Sequence, residues 1–378
     1  MREDLYMKTV SGVYASAKIF SDTVEEYALA QIKMLCDHEA FKGSKVRIMP
    51  DVHPGKVGTI GFTATIGDKI LPNVTGVDIG CGITMARLKQ KKVEFQKLDT
   101  VIRERVPSGF QIRRKAHRFS EIFDFSRLYC GKYVNQEKAA LSLGSIGGGN
   151  HFIEVDRDDT GRLYVSVHSG SRHLGKEVAE YYLKAGQNYL KEKGIQVPYE
   201  LTYLEKELMQ AYIHDIQIVQ EFAELNRQIV LDELVKCMKW KVEEINSSVH
   251  NYVSGLEGMW IIRKGAISAA KGEPVMIPVN MREGMILGTG LGNADWNESA
   301  PHGAGRILKR EEVSQRYTVS QFKQEMKGIY CSCIGKETLD EAPFAYRGMQ
   351  EIKESVSETV RIDQIIRPVY NFKAGNRW

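Results

Sequence analysis

The stretch NVTGVDIGCG, residues 73–82, decides how the rest of this chain is read. It sets a carboxylate, Asp78, and a thiol, Cys81, three positions apart between glycines, in a chain with only six cysteines. Short β-rich runs flank it: KVRIMP and TIGFTATIG before, ITMARL after, punctuated by Gly, Pro and Asn. Apolar runs of that length bounded by turn residues predict strands joined by tight, shaped loops. From residue 45 to 87, then, the unusual side chains fall in loops held between strands.

Outward from this centre, residues 21–41 read as an amphipathic helix, capped by Ser21 or Asp22 and carrying Val24, Ala28, Ile32 and Leu35 at helical spacing. Residues 102–118 gather Arg103, Arg105, Arg113, Arg114, Lys115, His117 and Arg118 around a Pro-Ser-Gly break, and a solvated face is the plain reading of such a run. After a glycine-rich loop at 144–149 come two strand-like pieces, HFIEV and LYVSVHSG. A long helical region follows from about 176 to 241, read as two or three helices that mostly serve packing. Short strands and turns return from 260 to 292, then a helix near 318–326 and a β-rich tail, IIRPVYNFKAG. No low-complexity linker or repeat interrupts this order, and the notable polar residues recur from 51 to 373. The expectation is an α+β chain: one large mixed domain, residues 1–378, with β-sheets flanked by helices, an active site assembled from distant loops, and a mostly helical insertion at about 176–245.

Composition allows a substantial core, since 43% of the 378 residues are hydrophobic. Lysine and arginine exceed aspartate and glutamate by only 52 to 48, too small a surplus to imply nucleic acid without local clusters. No run approaches the roughly 20 apolar residues of a membrane span, which argues against a membrane partner. The opening MREDLYMKTVSGVYASAKIF has no unbroken apolar core of the signal-peptide kind, so the expected location is cytoplasmic. In a reducing compartment the cysteines at 36, 81, 130, 237, 331 and 333 read as free thiols or ligands rather than disulfides.

The nine histidines divide by setting. His38, His117 and His214 lie in charged or helical surroundings and read as surface or helix-end residues. The others stand beside glycine, asparagine or serine, in PDVHPGK, GGGNHFIE, VHSGSRHLG, SVHNYV and PHGAGR. Glycine lets backbone come close to a ligand, so a histidine in such a loop suits ligation or catalysis, although any one alone is more often structural. Together with DIGCG they shift the reading toward a metal site. Imidazole, thiolate and carboxylate suit a borderline divalent ion and argue against magnesium or calcium, which prefer oxygen alone. Zinc and manganese both stay open, because the CxxC and HxxxH spacings of closed zinc sites are absent.

In this order, MPDVHPGKVGTIG, NVTGVDIGCG, GGGNHFIE, HSGSR, VHN and HGAGR resemble the RtcB family of RNA ligases, over nearly the whole chain from about Met49 to Lys373. The resemblance implies a GTP-dependent enzyme that joins RNA bearing a 3′-phosphate or 2′,3′-cyclic phosphate to RNA bearing a 5′-hydroxyl, in tRNA splicing or RNA repair, with two Mn²⁺ per active site. By the same match Cys81 bridges the two ions, with Asp78 and His151 completing one and His168 and His250 the other. A thiolate has the electron density to bridge two cations, and both ions can neutralise phosphate oxygens. His302 in HGAGR is, by resemblance, the nucleophile that becomes guanylylated, and Asp51 in PDVH orients its imidazole, with His53 nearby.

Nucleotide contacts follow from the same likeness. Asn150 holds phosphate, Glu154 accepts from the guanine N1 and N2 donors, Lys373 in YNFKAG contacts the nucleotide, and Tyr346 in EAPFAYR lies at its edge. Gly303, Ala304 and Gly305 bring their backbone to it. Asn280, with Arg282 and Glu283, sits where IPVNMREGMILGTGLGN replaces the serine-containing turn of longer members. Arg172, Arg306 and Arg310 match positions that present guanidinium groups to RNA phosphates, which brings the 102–118 cluster in as a further RNA candidate. His173 stands where glycine is usual. Implied partners are RNA with these ends and an archease-type activator or a translation or repair protein. Two other readings use the same residues: a metal-dependent RNA-end phosphoesterase working without covalent nucleotide, and a noncatalytic RNA-binding member.

Overall fold

Alternation and β-branching place thirteen of the strands in two sheets that meet at the site. The computed structural model describes residues 8–256 and 258–375. One sheet has six strands in the order Lys8–Ser11, Ser16–Ile19, Val46–Pro54, Thr59–Ile66, Met259–Lys264, Asn251–Leu256. All its pairs are antiparallel except the second with the third. The other has seven, in the order Val242–Val249, Gly82–Leu88, Leu163–Ser169, Phe152–Arg157, Val360–Phe372, Gly284–Gly290, Pro274–Asn280, antiparallel throughout. The chain is a mixed α+β domain of the kind the sequence predicts.

Leu163–Ser169 is buried on both faces. Its odd residues Leu163, Val165 and Val167 pack with Ile153, Val155 and the helix residues Val230 and Leu234. Full burial of each such side chain stabilises by about 1.5–3 kcal/mol. Its even residues, Tyr164, Ser166 and His168, turn toward the opposite face, where Tyr164 joins Ile83, Met85 and Phe152. One strand therefore anchors the core with one set of side chains and points a histidine at the site with the other.

The stretch expected to be helical holds two helices, Arg172–Glu192 and Lys206–Met238, with a 3-10 turn at Tyr199–Leu201 between them. The second is 33 residues long and packs against strands of both sheets. Ile216, Val219, Phe222, Ala223, Val230 and Leu234 form its buried stripe. The first helix of the chain starts later than its sequence suggests. It spans Glu26–Cys36 with Glu25 at its cap, followed by a 3-10 turn at Glu39–Phe41. The Ser21 hydroxyl instead donates to the Thr23 carbonyl at 3.0 Å, while Phe20 stacks on Trp296 with ring centroids 3.8 Å apart, and this pins the preceding segment in an extended path. Near the C-terminus the expected helix is present as Val319–Glu325, with Thr318 and Gln321 forming a capping box. All six cysteines are free thiols, and no helix among the described residues is long and apolar enough to cross a membrane.

Candidate active site

The loop before Gly82 is shaped by its neighbours. Gly80 has φ +74°, and a Cβ there would stand 2.9 Å from the Gln220 backbone and from Ala223 Cβ on the long helix, so only glycine fits the turn. Cys81 follows at the mouth of the strand Gly82–Leu88, and its carbonyl accepts from His250 N at 2.9 Å. His250 lies between the consecutive strands Val242–Val249 and Asn251–Leu256, which belong to different sheets. His151 immediately precedes Phe152–Arg157, and His168 lies inside Leu163–Ser169, paired with Ile83 and Phe152. Four separate segments thus converge at one end of the seven-stranded sheet.

Cys81 Sγ lies 3.2 Å from His151 Nε2 and 3.4 Å from His168 Nε2, and His168 Nε2 lies 3.4 Å from His250 Nε2. Asp78 Oδ2 is 3.2 Å from His151 Nε2. The ligand atoms of Cys81, His151 and His168 are all within 4.8 Å of one another. Burial drives His168 and His250 well below the usual imidazole range, so both are neutral and present lone pairs. Burial first and the Asp78 charge second push the Cys81 thiol well above its ordinary value. Burial opposes ionisation of Asp78 too, yet the His151 hydrogen bond and charge outweigh it and hold the carboxyl low. Neutral imidazoles, an ionised carboxylate and a thiol that surrenders its proton to a cation form a donor set that fits borderline divalent metal.

Two helix residues hold this cluster together, and the apolar spacing of their segment assigns both to packing. Asn226 accepts from Gly144 N at 2.8 Å and Ser145 N at 3.1 Å, and donates to Ser145 O at 3.0 Å and Gly170 O at 3.1 Å. Arg227, 0% exposed, donates to Gly80 O at 2.8 Å, Ser169 O at 3.1 Å and Thr84 Oγ1 at 3.0 Å. They tie the loops that precede Cys81, His151 and helix Arg172–Glu192 to one rigid element. Polar residues at buried positions of an otherwise apolar stripe were the available signal.

Across from the cluster, in the six-stranded sheet, Asp51 is fully buried, and its Oδ2 accepts from His302 Nδ1 at 2.7 Å. That bond fixes the tautomer, leaving Nε2 of His302 as the nitrogen with a lone pair. The His302 ring centroid stands 4.8 Å from that of His250. His53 donates Nδ1–H to the Asp51 carbonyl at 2.9 Å. Gly305, with φ +73°, closes the chain over Asp51, where a Cβ would lie 2.6 Å from the Asp51 carbonyl oxygen.

A cavity of about 310 Å³ joins the two sides. Cys81, Asp78, His168 and His250 line one end, and His302 with Gly303, Ala304 and Gly305 line its side. Asn150, Glu154, Asn280, Tyr346 and Lys373 line it as well, as do Arg306 and Arg310. Glu154 accepts from Asn371 Nδ2 at 2.5 Å, and burial lifts its carboxyl to about 7. The Asn150 carbonyl accepts from His168 Nδ1 at 3.1 Å and so orients that ring. Asn280 uses its side-chain oxygen to accept from Arg282 N and Glu283 N, both at 2.9 Å. Arg282 reaches away to Lys327 O at 2.7 Å, and Glu283 accepts from Met349 N at 3.1 Å.

The far end of the cavity turns on a residue that no motif or spacing singles out. Glu341, 2% exposed, receives Lys373 Nζ at 3.2 Å, Arg310 at 2.7 Å, Arg306 at 3.4 Å and the Tyr346 hydroxyl at 2.5 Å. Burial alone would raise its pKa, but Lys373, Arg310 and Arg306 hold it down at about 2. Arg306 also lies 5.1 Å over the Tyr346 ring. Behind Lys373, its backbone N–H donates to Cys333 Sγ at 3.2 Å. Arg172 takes an inward path: φ is +54°, Nε donates to Ser145 Oγ at 3.0 Å and Nη2 to Gly109 O at 2.6 Å. His117 is a helix-end residue, as expected: it caps the 3-10 turn Arg118–Ile122, where Nδ1 accepts from Phe119 N at 3.3 Å, and its side chain is 9% exposed with Nε2 3.1 Å from Glu233. His173 is half-buried at the start of helix Arg172–Glu192.

A family model for the tRNA-splicing ligase RtcB matches residues 35–132 and 130–374. The chain is 29% identical over 366 residues to the RNA-splicing ligase RtcB of Escherichia coli K12, covering 86% of this chain and 88% of that protein. It is 25% identical over 448 residues to the tRNA-splicing ligase RtcB of Pyrobaculum aerophilum, covering 94% and 92%. It is also 25% identical over 446 residues to the tRNA-splicing ligase RtcB of Thermococcus kodakarensis, covering 94% and 92%.

Proposed function

This chain belongs to the RtcB family of tRNA-splicing ligases, and from that membership we propose that it seals broken RNA, joining a 3′-phosphate or 2′,3′-cyclic phosphate end to a 5′-hydroxyl end at the expense of GTP. The observation that carries this reading is His302: its Nδ1 is tied to buried Asp51 at 2.7 Å while Nε2 shares one cavity with the cluster of Cys81, His168 and His250. Divalent metal, manganese in this reading, would be held by Cys81, Asp78, His151, His168 and His250 and would supply positive charge against phosphate oxygens.

His302 Nε2 attacks the α-phosphorus of GTP, forming a P–N bond as pyrophosphate leaves. Asp51 accepts from Nδ1–H and stabilises the positive charge that develops on the ring. Glu154, ionised, accepts from the guanine N–H donors, and Asn371 and Lys373 steady it. The 3′-phosphate of the RNA then takes GMP from His302, and the 5′-hydroxyl of the second strand displaces GMP to complete the phosphodiester. Lys373, Arg306 and Arg310 hold phosphate oxygens near Glu341, in exchange for part of their hold on that carboxylate.

Incubation with α-labelled GTP and manganese tests the proposal. The expected result is an acid-labile labelled protein that His302→Ala does not form. An unlabelled wild type that releases phosphate from RNA ends without GTP would instead establish a phosphoesterase, and RNA-end binding that persists in chelator without any reaction would establish a noncatalytic binder.

A further inference from the structure

In the ligase reading two RNA strands have to reach one cluster. One approach is the cavity beside His302. Asp78 lines that cavity too, and its side chain is 32% exposed while Cys81, His151, His168 and His250 are all buried. Next to Gly109, whose carbonyl Arg172 holds, stands Phe110, 74% exposed and a member of no hydrophobic cluster among the described residues. Its turn is fastened to the metal side. The Pro107 carbonyl accepts from Ile146 N at 3.0 Å, and the Gly109 carbonyl accepts from Arg172 Nη2 at 2.6 Å. Arg172 Nη1 would be 2.8 Å from a Cβ on Gly147, a Cβ that would also overlap His151 Nδ1. The preceding residue, Ser171, donates its N–H to Asp78 Oδ1 at 3.1 Å. One arginine side chain therefore spans the gap between the Phe110 turn and the metal-capable cluster.

The charge around Phe110 is mainly positive. Arg105, Arg114, Lys115 and Arg118 are exposed and in no salt bridge among the described residues, and Glu104 is the one acidic residue from 103 to 118. Arg103 and Arg113 differ, because Arg103 is bound to Asp99 at 2.8 Å and Arg113 donates to the carbonyls of Leu143, Gly144 and Arg105. An unpartnered aromatic ring set in a strip of uncompensated cations is the pattern that holds single-stranded nucleic acid, bases on rings and phosphates on cations.

We infer that residues 105–118 form the docking strip for the RNA strand that carries the 5′-hydroxyl, with a base near its end stacked on Phe110 and its phosphates on Arg105, Arg114 and Lys115. This rests on the ligase reading above, since it gives the cavity beside His302 to the guanylylated end and the strip joined to the cluster through Arg172 and Ser171 to the second strand of the join.

The test measures binding of a labelled single-stranded RNA with a 5′-hydroxyl and no 3′-phosphate to the full chain, alongside label transfer from GTP to the wild type. Phe110→Ala is expected to weaken binding by about 5- to 150-fold, the range that stacking of one base supplies, and Phe110→Trp to restore it. Substituting Arg105, Arg114 and Lys115 together by alanine is expected to flatten the slope of log affinity against log salt by about two, near 0.7 for each phosphate that is no longer neutralised. Wild-type affinity in Phe110→Ala, an equal loss in Phe110→Trp, an unchanged salt slope, or equal binding of duplex RNA would each overturn the strip. A wild type that labels and ligates while Phe110→Ala binds normally removes the strip and leaves the ligase reading standing. A wild type that does neither, while binding still depends on Phe110, removes the ligase reading and leaves the strip as an RNA site.

Discussion

The two ends of the cavity are built on opposite electrostatic plans. At one end, neutral His168 and His250, the ionised Asp78 and the high-pKa thiol of Cys81 offer lone pairs, with Arg227 and Arg172 as neighbouring positive charge. At the other, three cations surround one buried carboxylate, Glu341, and are held by it. The first arrangement suits arriving positive charge. The second is already neutralised from within, so an arriving phosphate competes with Glu341 for Lys373, Arg306 and Arg310. That contrast predicts where metal acts and where stability is stored: removing a ligand from the first end costs chemistry, and removing the carboxylate from the second costs the fold.

Cys81→Ala tests the first half and carries the largest expected effect. The side chain is small and its loss leaves the surrounding core in place, so the variant should fold. Ligation is expected to fall by at least about 10⁴-fold, matching several kcal/mol of charge stabilisation in the transition state. Manganese affinity measured by calorimetry should drop by roughly 100-fold or more. At metal concentrations near 100 times its dissociation constant, the wild type should gain about 2.7 kcal/mol against unfolding and the variant should gain far less. Equal manganese binding by wild type and variant would break the assignment of this end to metal.

Glu341→Ala tests the second half. Leaving three cations around a buried, unpaired site is expected to lower unfolding free energy by roughly 3–5 kcal/mol in denaturant titration. Glu341→Gln keeps the shape and an acceptor for the Tyr346 hydroxyl, and should lose less. A Glu341→Ala chain as stable as the wild type would show that the cations relax into solvent, and the contrast between the ends would collapse.

The same contrast explains what could be read from the chain and what could not. Asp78, Cys81, His151, His168 and His250 belong to residue types whose chemistry is rare and local, and glycines beside them announced shaped loops. The strands carrying them were visible in runs such as LYVSVHSG, because Leu163, Val165 and Val167 recur at the period of two that a strand requires. Glu341 is one of 48 acidic residues, and only the fold brings Lys373 and Arg306 to it from 32 and 35 positions away. Asn226 and Arg227 sit in a helix whose apolar spacing explained the segment without them. The inward course of Arg172 was equally hidden, since nothing in HSGSR shows that Ser145 and the Gly109 carbonyl hold its side chain.

The smallest effect sharpens the boundary between the two ends, where Glu154 and Asp156 lie two residues apart on the strand Phe152–Arg157, both buried. Burial raises both carboxyls; the neighbouring Glu154 raises Asp156 further, well above the usual range, while Asn371 and Lys373 restrain Glu154 at about 7. Asp156 therefore keeps its proton when Glu154 gives one up. Guanine presents N–H donors, so only the ionised form of Glu154 accepts both. In the ligase reading, affinity for GTP is therefore expected to rise with pH through about 7 and to level off above it, because the empty site must release a proton to bind below that point. Each pH unit below should weaken binding by about tenfold. GTP ionises in the same range, so the quantity to measure is the ratio of dissociation constants for Glu154→Gln and wild type across pH 5.5–8.5, in which the nucleotide's own titration cancels. The ratio should climb with pH and flatten near 8. A flat ratio would mean that Glu154 stays ionised throughout, with Lys373 favouring its charge more strongly than burial opposes it, and the compensated end of the cavity would then extend as far as the base-reading carboxylate.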